Sequence, residues 1–211
     1  MYNKQFYEKY ALLSLVKCYS SDLQVLLDDK FNYENPDYQS EILNIGIEVV
    51  EAITSRQGEE RFIINEHFGK GIDGATLKNE AEKRFKKFRG KLSVVDGQAV
   101  YSHQPNGFRM SSRLSLIQSK IDQKLIKLNS HYKVFSNNWL YVFSHLATVH
   151  QEEIESLVIQ NEKVDGISFD KVFINCIDKI YVLTKEDTDV INVSTETLKS
   201  IKYVSLNSPK G

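Results

Sequence analysis

The segment that most constrains the fold is the apolar run IGIEVVEAI at residues 45–53. It is rich in β-branched residues, which favours a β-strand. It contains two acids, Glu48 and Glu51. Strand alternation places Glu48 on the same face as Gly46, Val50 and Ala52, and Glu51 on the opposite face. Burying an ionised carboxylate costs free energy unless it is paired. The strand therefore predicts either a functional acid or an acid that is exposed or paired with a nearby lysine.

A second acid, Asp37, directly follows Pro36 and precedes this strand by a predicted turn, SEILN. If residues 37–39 and 45–50 pair as a hairpin, Asp37 and Glu48 project from one end of a small sheet. Two ionised carboxylates that lie close together repel each other, so a shared proton or a divalent cation must hold them. Mg²⁺ is suited to one or two carboxylates plus water and phosphate oxygens. The alternative is that both residues are ordinary structural acids.

The order of the other elements predicts an α/β fold. Apolar periodicity predicts helices at 3–19, 76–92, 111–133 and 150–161, and strands at 23–27, 45–53, 139–146 and twice within 169–184. Residues 96–109 are predicted as loop, and the polar tail as strand-like near 201–206. This order favours a mixed central sheet flanked by helices. We expect one domain at 1–184 with a largely helical insertion at 56–110, followed by a polar C-terminal extension at 185–211.

The net charge of the whole chain is close to zero, but one segment is strongly basic. The net charge of −1 gives no global attraction to nucleic acid. The segment from 78 to 91 is nevertheless basic and contains two phenylalanines, and its cations are candidates for contacts with phosphates: Lys83, Arg84, Lys87 and Arg89. The alternative is an amphipathic surface helix whose phenylalanines face the core.

Cysteine usage and hydropathy suggest a compartment. The chain has two cysteines, Cys18 and Cys176, in apolar surroundings and in no C-x-x-C pair. Free buried thiols suit a reducing cytoplasm. No apolar run approaches the roughly 18–20 residues of a membrane helix. We expect a cytoplasmic protein with no membrane partner.

The succession PDY, GIEV, SKIDQKLIKL and NNWLYVF resembles the PD-(D/E)XK superfamily of restriction-endonuclease-like nucleases over residues 1–184. The resemblance implies a restriction-endonuclease-like sheet and hydrolysis of phosphodiesters with Mg²⁺, or with Mn²⁺. It implies DNA as the substrate in preference to RNA, and it leaves a homodimer open. Asp37 and Glu48 would hold the metal, together with the backbone carbonyl of Val49, and Glu8 on the first helix is a further candidate ligand.

One position departs from the family pattern. The superfamily has Lys two residues after the acid, whereas this chain has Val50. Some branches supply the lysine from a neighbouring helix, so the resemblance makes Lys124, or Lys120, the residue that contacts phosphate and water. The alternative for these lysines is a solvated helix face. If neither reaches the acids, the chain is better interpreted as a catalytically inactive interaction module, of an immunity or defence accessory type.

Overall fold

A computed structural model describes residues 4–28, 35–54, 90–95, 98–103, 110–146, 149–159 and 166–207, together with Thr76, Asn79 and Lys83. The chain divides into two compact units, and each is considered by itself. The smaller unit spans Ile53–Arg109, and the larger unit contains the rest of the fold.

The larger unit is built on one six-stranded mixed sheet. Its strands are β1 (Tyr38–Ser40), β2 (Ile45–Glu51), β5 (Asn137–Phe143), β6 (Lys171–Cys176), β7 (Lys179–Leu183) and β8 (Thr188–Asn192). They lie in the order β1-β2-β5-β6-β7-β8. Strands β2, β5 and β6 are parallel, and the remaining pairs are antiparallel. The predicted α/β class with a mixed sheet is confirmed.

Helices cover both faces of this sheet. They are α1 (Lys4–Cys18), α2 (Val25–Asp28), α3 (Met110–Leu128), α4 (Gln151–Glu155) and α5 (Thr195–Asn207). On one face, α1 packs its buried Leu12 and Leu15 against Ile47 of β2. On the other face, α3 packs Ile117 and Ile121 against the central strands. The apolar stripes predicted for α1 and α3 therefore become two separate cores, one on each side of the sheet.

Two of the predicted strands are helical. Residues 23–27 were expected to be a strand, but a 3₁₀ turn (Ser21–Gln24) runs directly into α2. The Ser20 hydroxyl accepts a hydrogen bond from the Asp22 N–H and caps this turn. Leu23 and Leu26 are both buried. Their separation of three residues matches the period of a helix and not the alternation of a strand.

The segment near 201–206, expected to be strand-like, lies within α5. Ser194 begins this helix by accepting a hydrogen bond from the Thr197 N–H at 3.1 Å. Ile201 and Ser205 are buried four residues apart, again the spacing of a helix. Within the range 185–207, β8 extends the sheet beside β7, and Ser200 of α5 accepts a hydrogen bond from Lys17 of α1.

The smaller unit contains an antiparallel pair of strands, β3 (Gly90–Val95) and β4 (Gln98–His103). The prediction of loop from residue 96 to 109 is therefore wrong over β4, and the predicted helix at 76–92 ends before β3. The Asp96–Gly97 pair between the two strands is a common sequence signal for a two-residue hairpin loop. Thr76, Asn79 and Lys83 are helical, and the rest of the predicted helix before Gly90 lies outside the described residues. The insertion at 56–110, expected to be largely helical, thus contains a two-stranded hairpin, and most of its remaining residues lie outside those that the structure describes.

Among the residues that the structure describes, no helix combines the length and the apolar character needed to cross a membrane.

Candidate functional site

Asp37 is held at the edge of the sheet beside β2. Strands β1 and β2 pair with Tyr38 opposite Ile47, and this register, continued by one residue, places Asp37 opposite Glu48. Asp37 Oδ2 accepts a hydrogen bond from the Val49 N–H at 2.8 Å. The N–H and C=O of one strand residue point to the same side of the strand, so the Val49 carbonyl is directed toward this edge as well.

A glycine lets the Pro36–Asp37 segment approach the sheet. A Cβ at Gly46 would lie 2.7 Å from the Phe135 ring and 2.8 Å from the Pro36 ring. These distances are shorter than any tolerated contact, so only glycine leaves room for both rings over β2. Gly46 therefore allows the close packing of Pro36 that holds the neighbouring Asp37 beside β2.

Glu48 is buried on the α3 face of the sheet. It is 4% exposed, and its Oε1 accepts a hydrogen bond from the ammonium of Lys124. Lys124 is on α3 and reaches the acid from the helix, whereas Val50 occupies the strand position where the superfamily pattern has lysine. Burial raises the pKa of Glu48 and the charge of Asp37 raises it further, while Lys124 opposes both effects. The structure therefore brings Asp37, Glu48 and Lys124 together.

Tyr132 completes the surroundings of Lys124. Its hydroxyl accepts a hydrogen bond from Lys124 Nζ at 3.3 Å, and its backbone N–H donates to the Lys127 carbonyl just beyond the end of α3. Burial and the negative charges of Glu48 and Asp37 raise the pKa of Tyr132, so the phenol stays neutral. Sequence reasoning placed Tyr132 in the apolar stripe of α3. The signal that it missed is that a buried tyrosine hydroxyl requires a polar partner.

A second group of charges approaches Asp37 from α1. Lys4 Nζ contacts Asp37 Oδ1 at 3.1 Å and Glu8 Oε1 at 2.8 Å. Burial raises the pKa of Glu8 and Asp37 raises it further, while the bond from Lys4 opposes both effects. Sequence reasoning proposed Glu8 but missed Lys4, although the i, i+4 spacing of the two residues on a helix indicates an ion pair.

The other candidate residues are less closely involved. Lys120 lies one turn before Lys124 on α3, and its pKa is lowered by burial and by the positive charges of Lys124 and Lys127. No contact between Lys120 and either acid is found among the described residues. Lys83 is exposed in the smaller unit. The other three predicted phosphate-binding residues lie outside the described residues: Arg84, Lys87 and Arg89.

The oxygen atoms at this site fit a hard divalent cation. Glu48 Oε2 is buried and has no hydrogen-bond partner among the described residues. That orphaned oxygen, the Asp37 carboxylate and the Val49 carbonyl are the ligand types that Mg²⁺ prefers. Within the described ranges, no group of three or more His, Cys, Asp or Glu side chains is placed to hold a metal ion. A cation here would therefore use two carboxylates and a backbone carbonyl, with water or substrate completing its shell.

Comparisons with family models, with curated proteins and with solved structures find no match for this chain.

Proposed function

We propose that this chain is a divalent-metal-dependent phosphodiesterase that hydrolyses nucleic acid, DNA in preference to RNA. The observation that carries the proposal is the contact between Lys124 and Glu48, beside an Asp37 that is hydrogen-bonded to the next residue of the same strand. A nuclease site of the PD-(D/E)XK type needs two acids and one lysine at one point. Here the lysine comes from α3, 76 residues from the acid in sequence.

The two acids and the Val49 carbonyl would hold the cation. Mg²⁺, when bound, polarises phosphoryl oxygens and lowers the pKa of an attacking water. Glu48 enters this arrangement with one oxygen engaged by Lys124 and one oxygen free of hydrogen-bond partners in the described part of the chain. Its carboxylate therefore does not need to break the lysine contact before it binds a cation.

Lys124 supplies positive charge where the reaction develops negative charge. Hydrolysis forms one P–O bond from water and breaks the bond to one sugar oxygen, which leaves as an alcohol once it is protonated. An ammonium that is already fixed stabilises the charge on the phosphoryl oxygens without further reorganisation. The Lys124 side chain is 17% exposed, and the acceptors Glu48 and Tyr132 hold its amine, so the amine is fixed before substrate arrives.

A second candidate function is that of a non-catalytic interaction module with the same fold. The observation that favours it is the neutralisation of the acids within the chain. Lys124 compensates Glu48, and Lys4 compensates Glu8 and Asp37. A site that lost its chemistry would be stable in this form without a metal ion.

The deciding experiment measures metal binding and cleavage on the same samples. Mn²⁺ and Mg²⁺ are titrated by calorimetry into wild type, Asp37→Asn, Glu48→Gln and Lys124→Met, and each sample is then assayed for nicking of supercoiled plasmid. We expect Asp37→Asn and Glu48→Gln to lose both cation binding and plasmid nicking. We expect Lys124→Met, assayed at a temperature where it remains folded, to keep cation binding and to lose nicking, because the lysine acts on the phosphate.

The matched control is Glu51→Gln. Glu51 is on the same strand, three residues after Glu48 and on its opposite face, where it contacts His145 at 2.8 Å. This variant should bind the cation and nick plasmid as wild type does. Wild type that binds neither cation and does not nick would refute the phosphodiesterase and favour the interaction module.

A further inference from the structure

The ammonium of Lys4 contacts an oxygen of one of the two acids proposed to bind the metal. Its Nζ bridges Glu8 Oε1 and Asp37 Oδ1, at 2.8 and 3.1 Å. Asp37 is one of the two acids proposed to bind the metal, and its other oxygen is occupied by the Val49 N–H. The oxygen that Lys4 occupies is therefore the one that a divalent ion needs.

The arrangement compensates a repulsion that the fold creates. Glu8 of α1 and Asp37 of the sheet edge approach closely enough for the charge of Asp37 to raise the pKa of Glu8. Lys4, one turn before Glu8 on α1, stands between them. Without a cation of some kind, the close approach of α1 to this edge would be opposed by two like charges.

The lysine is bound but easily released. Its side chain is 76% exposed, and it is attached to the first turn of α1. Rotation of its side chain into water costs little, because the ammonium is largely hydrated even while it contacts the two acids. By contrast, the Lys124 side chain is 17% exposed, and its amine has two buried acceptors, so it does not move away as readily.

We infer that Lys4 is an internal counter-cation that competes with the divalent metal for Asp37, and that metal binding displaces it. This inference deepens the proposed function, because it concerns regulation of the same site. Lys4 compensates part of the negative charge of the site while it is empty and thereby raises the apparent Kd of the metal. The unpartnered, buried Glu48 Oε2 indicates that an additional cation still has a ligand available here.

Calorimetric titration of Mn²⁺ into the full chain, without nucleic acid, tests the inference. The variants are Lys4→Gln, which removes the competing charge, and Lys4→Arg, which keeps it. We expect Lys4→Gln to bind Mn²⁺ about three- to tenfold more tightly than wild type, the range that two partly exposed ion pairs supply. Lys4→Arg should bind as weakly as wild type.

The matched control is Lys9→Gln on the same helix. It removes the same unit charge from a lysine that has no ion pair with Asp37 or Glu8 in the described part of the chain, and salt screens an unpaired surface charge. A second readout is thermal unfolding without metal. Lys4→Gln should melt at a lower temperature than wild type, and saturating Mn²⁺ should remove the difference.

The outcomes separate this inference from the proposed function. If wild type and Lys4→Gln bind Mn²⁺ equally, or if Lys9→Gln tightens binding as much as Lys4→Gln does, the inference is overturned and the metal site stands. If no variant binds Mn²⁺, both are overturned. Binding by Lys4→Gln that Asp37→Asn abolishes supports both.

Discussion

Replacing Lys124 by methionine should destabilise the protein strongly, and more so at high pH than at low pH. Methionine keeps the length and apolar stem of the side chain but leaves Glu48 buried without its cation. The Glu48 and Lys124 side chains are 5% and 17% exposed. Removing one member of such a buried pair typically costs about 3–5 kcal/mol of unfolding free energy.

The pH dependence follows from the pKa of Glu48. Burial already raises this pKa above its ordinary value of 4.5, and Lys124 is the positive charge that opposes the increase. In the variant, the pKa of folded Glu48 rises further. A carboxyl with a raised folded pKa contributes stability that is fully present below its unfolded pKa and is lost as pH rises through the folded pKa. The difference between variant and wild type should therefore be small near pH 4.5 and should grow through neutral pH.

Urea unfolding followed by the fluorescence of Trp139 measures this effect, since the one tryptophan of the chain is buried in β5 of the sheet. The double variant Lys124→Met, Glu48→Gln removes both charges and should recover most of the loss, because neutral replacements of a buried ion pair are often tolerated. The control is Lys133→Met. Lys133 pairs with Glu41, but those side chains are 52% and 72% exposed, so its loss should cost less than about 1 kcal/mol.

Two results would refute this reasoning. One is a cost for Lys124→Met that is as small as that for Lys133→Met, and the other is a cost that does not change between about pH 5 and about pH 8. Either result would mean that Glu48 is solvated or that it has another cation.

Three further substitutions test other parts of the structure by the same unfolding assay. Gly46→Ala should cost about 1–3 kcal/mol, because the added methyl would lie 2.7 Å from the Phe135 ring; an unchanged stability would show that the ring moves freely. Ile177→Gly should stabilise the protein by about 1 kcal/mol, because Ile177 has φ of 55° at the first position of a two-residue hairpin loop, where type II′ turns take glycine; a loss of stability would contradict this backbone geometry. Tyr132→Phe should cost about 1–2 kcal/mol, because the ring stays buried while Lys124 loses a hydrogen-bond acceptor; a neutral effect would mean that the hydroxyl makes no useful contact.

The elements with strong local periodicity were predicted correctly. The apolar stripes of α1 and α3 and the β-branched run of β2 required no knowledge of the partner segments, because each pattern matches one backbone period. Strand alternation also placed Glu48 on the face that α3 covers. The predictions that were wrong concern segments that are short or that combine residues typical of helices and of strands. Residues 23–27 contain an apolar run too short to separate helix from strand, and α5 was hidden by β-branched and aromatic residues near its end.

Local sequence patterns predict less of the candidate site than of the fold. The spacing of Asp37 and Glu48 suggested a hairpin, and the structure contains it. The contacts of Lys4 with Asp37 and of Tyr132 with Lys124 had only general signals in the sequence, because a lysine near the start of a helix and a tyrosine among apolar residues each have ordinary surface or core explanations.

Residue order and periodicity thus determine the helices, the principal strands and the faces on which their side chains lie, because these depend on interactions within a few residues. The convergence of charges depends on packing over long sequence distances. Asp37 meets Val49 because β1 pairs with β2 in one register, and Lys124 meets Glu48 because α3 covers the parallel strands after a 76-residue separation. Burial then raises the pKa of Glu48, and burial is a property of the assembled layers rather than of any one segment.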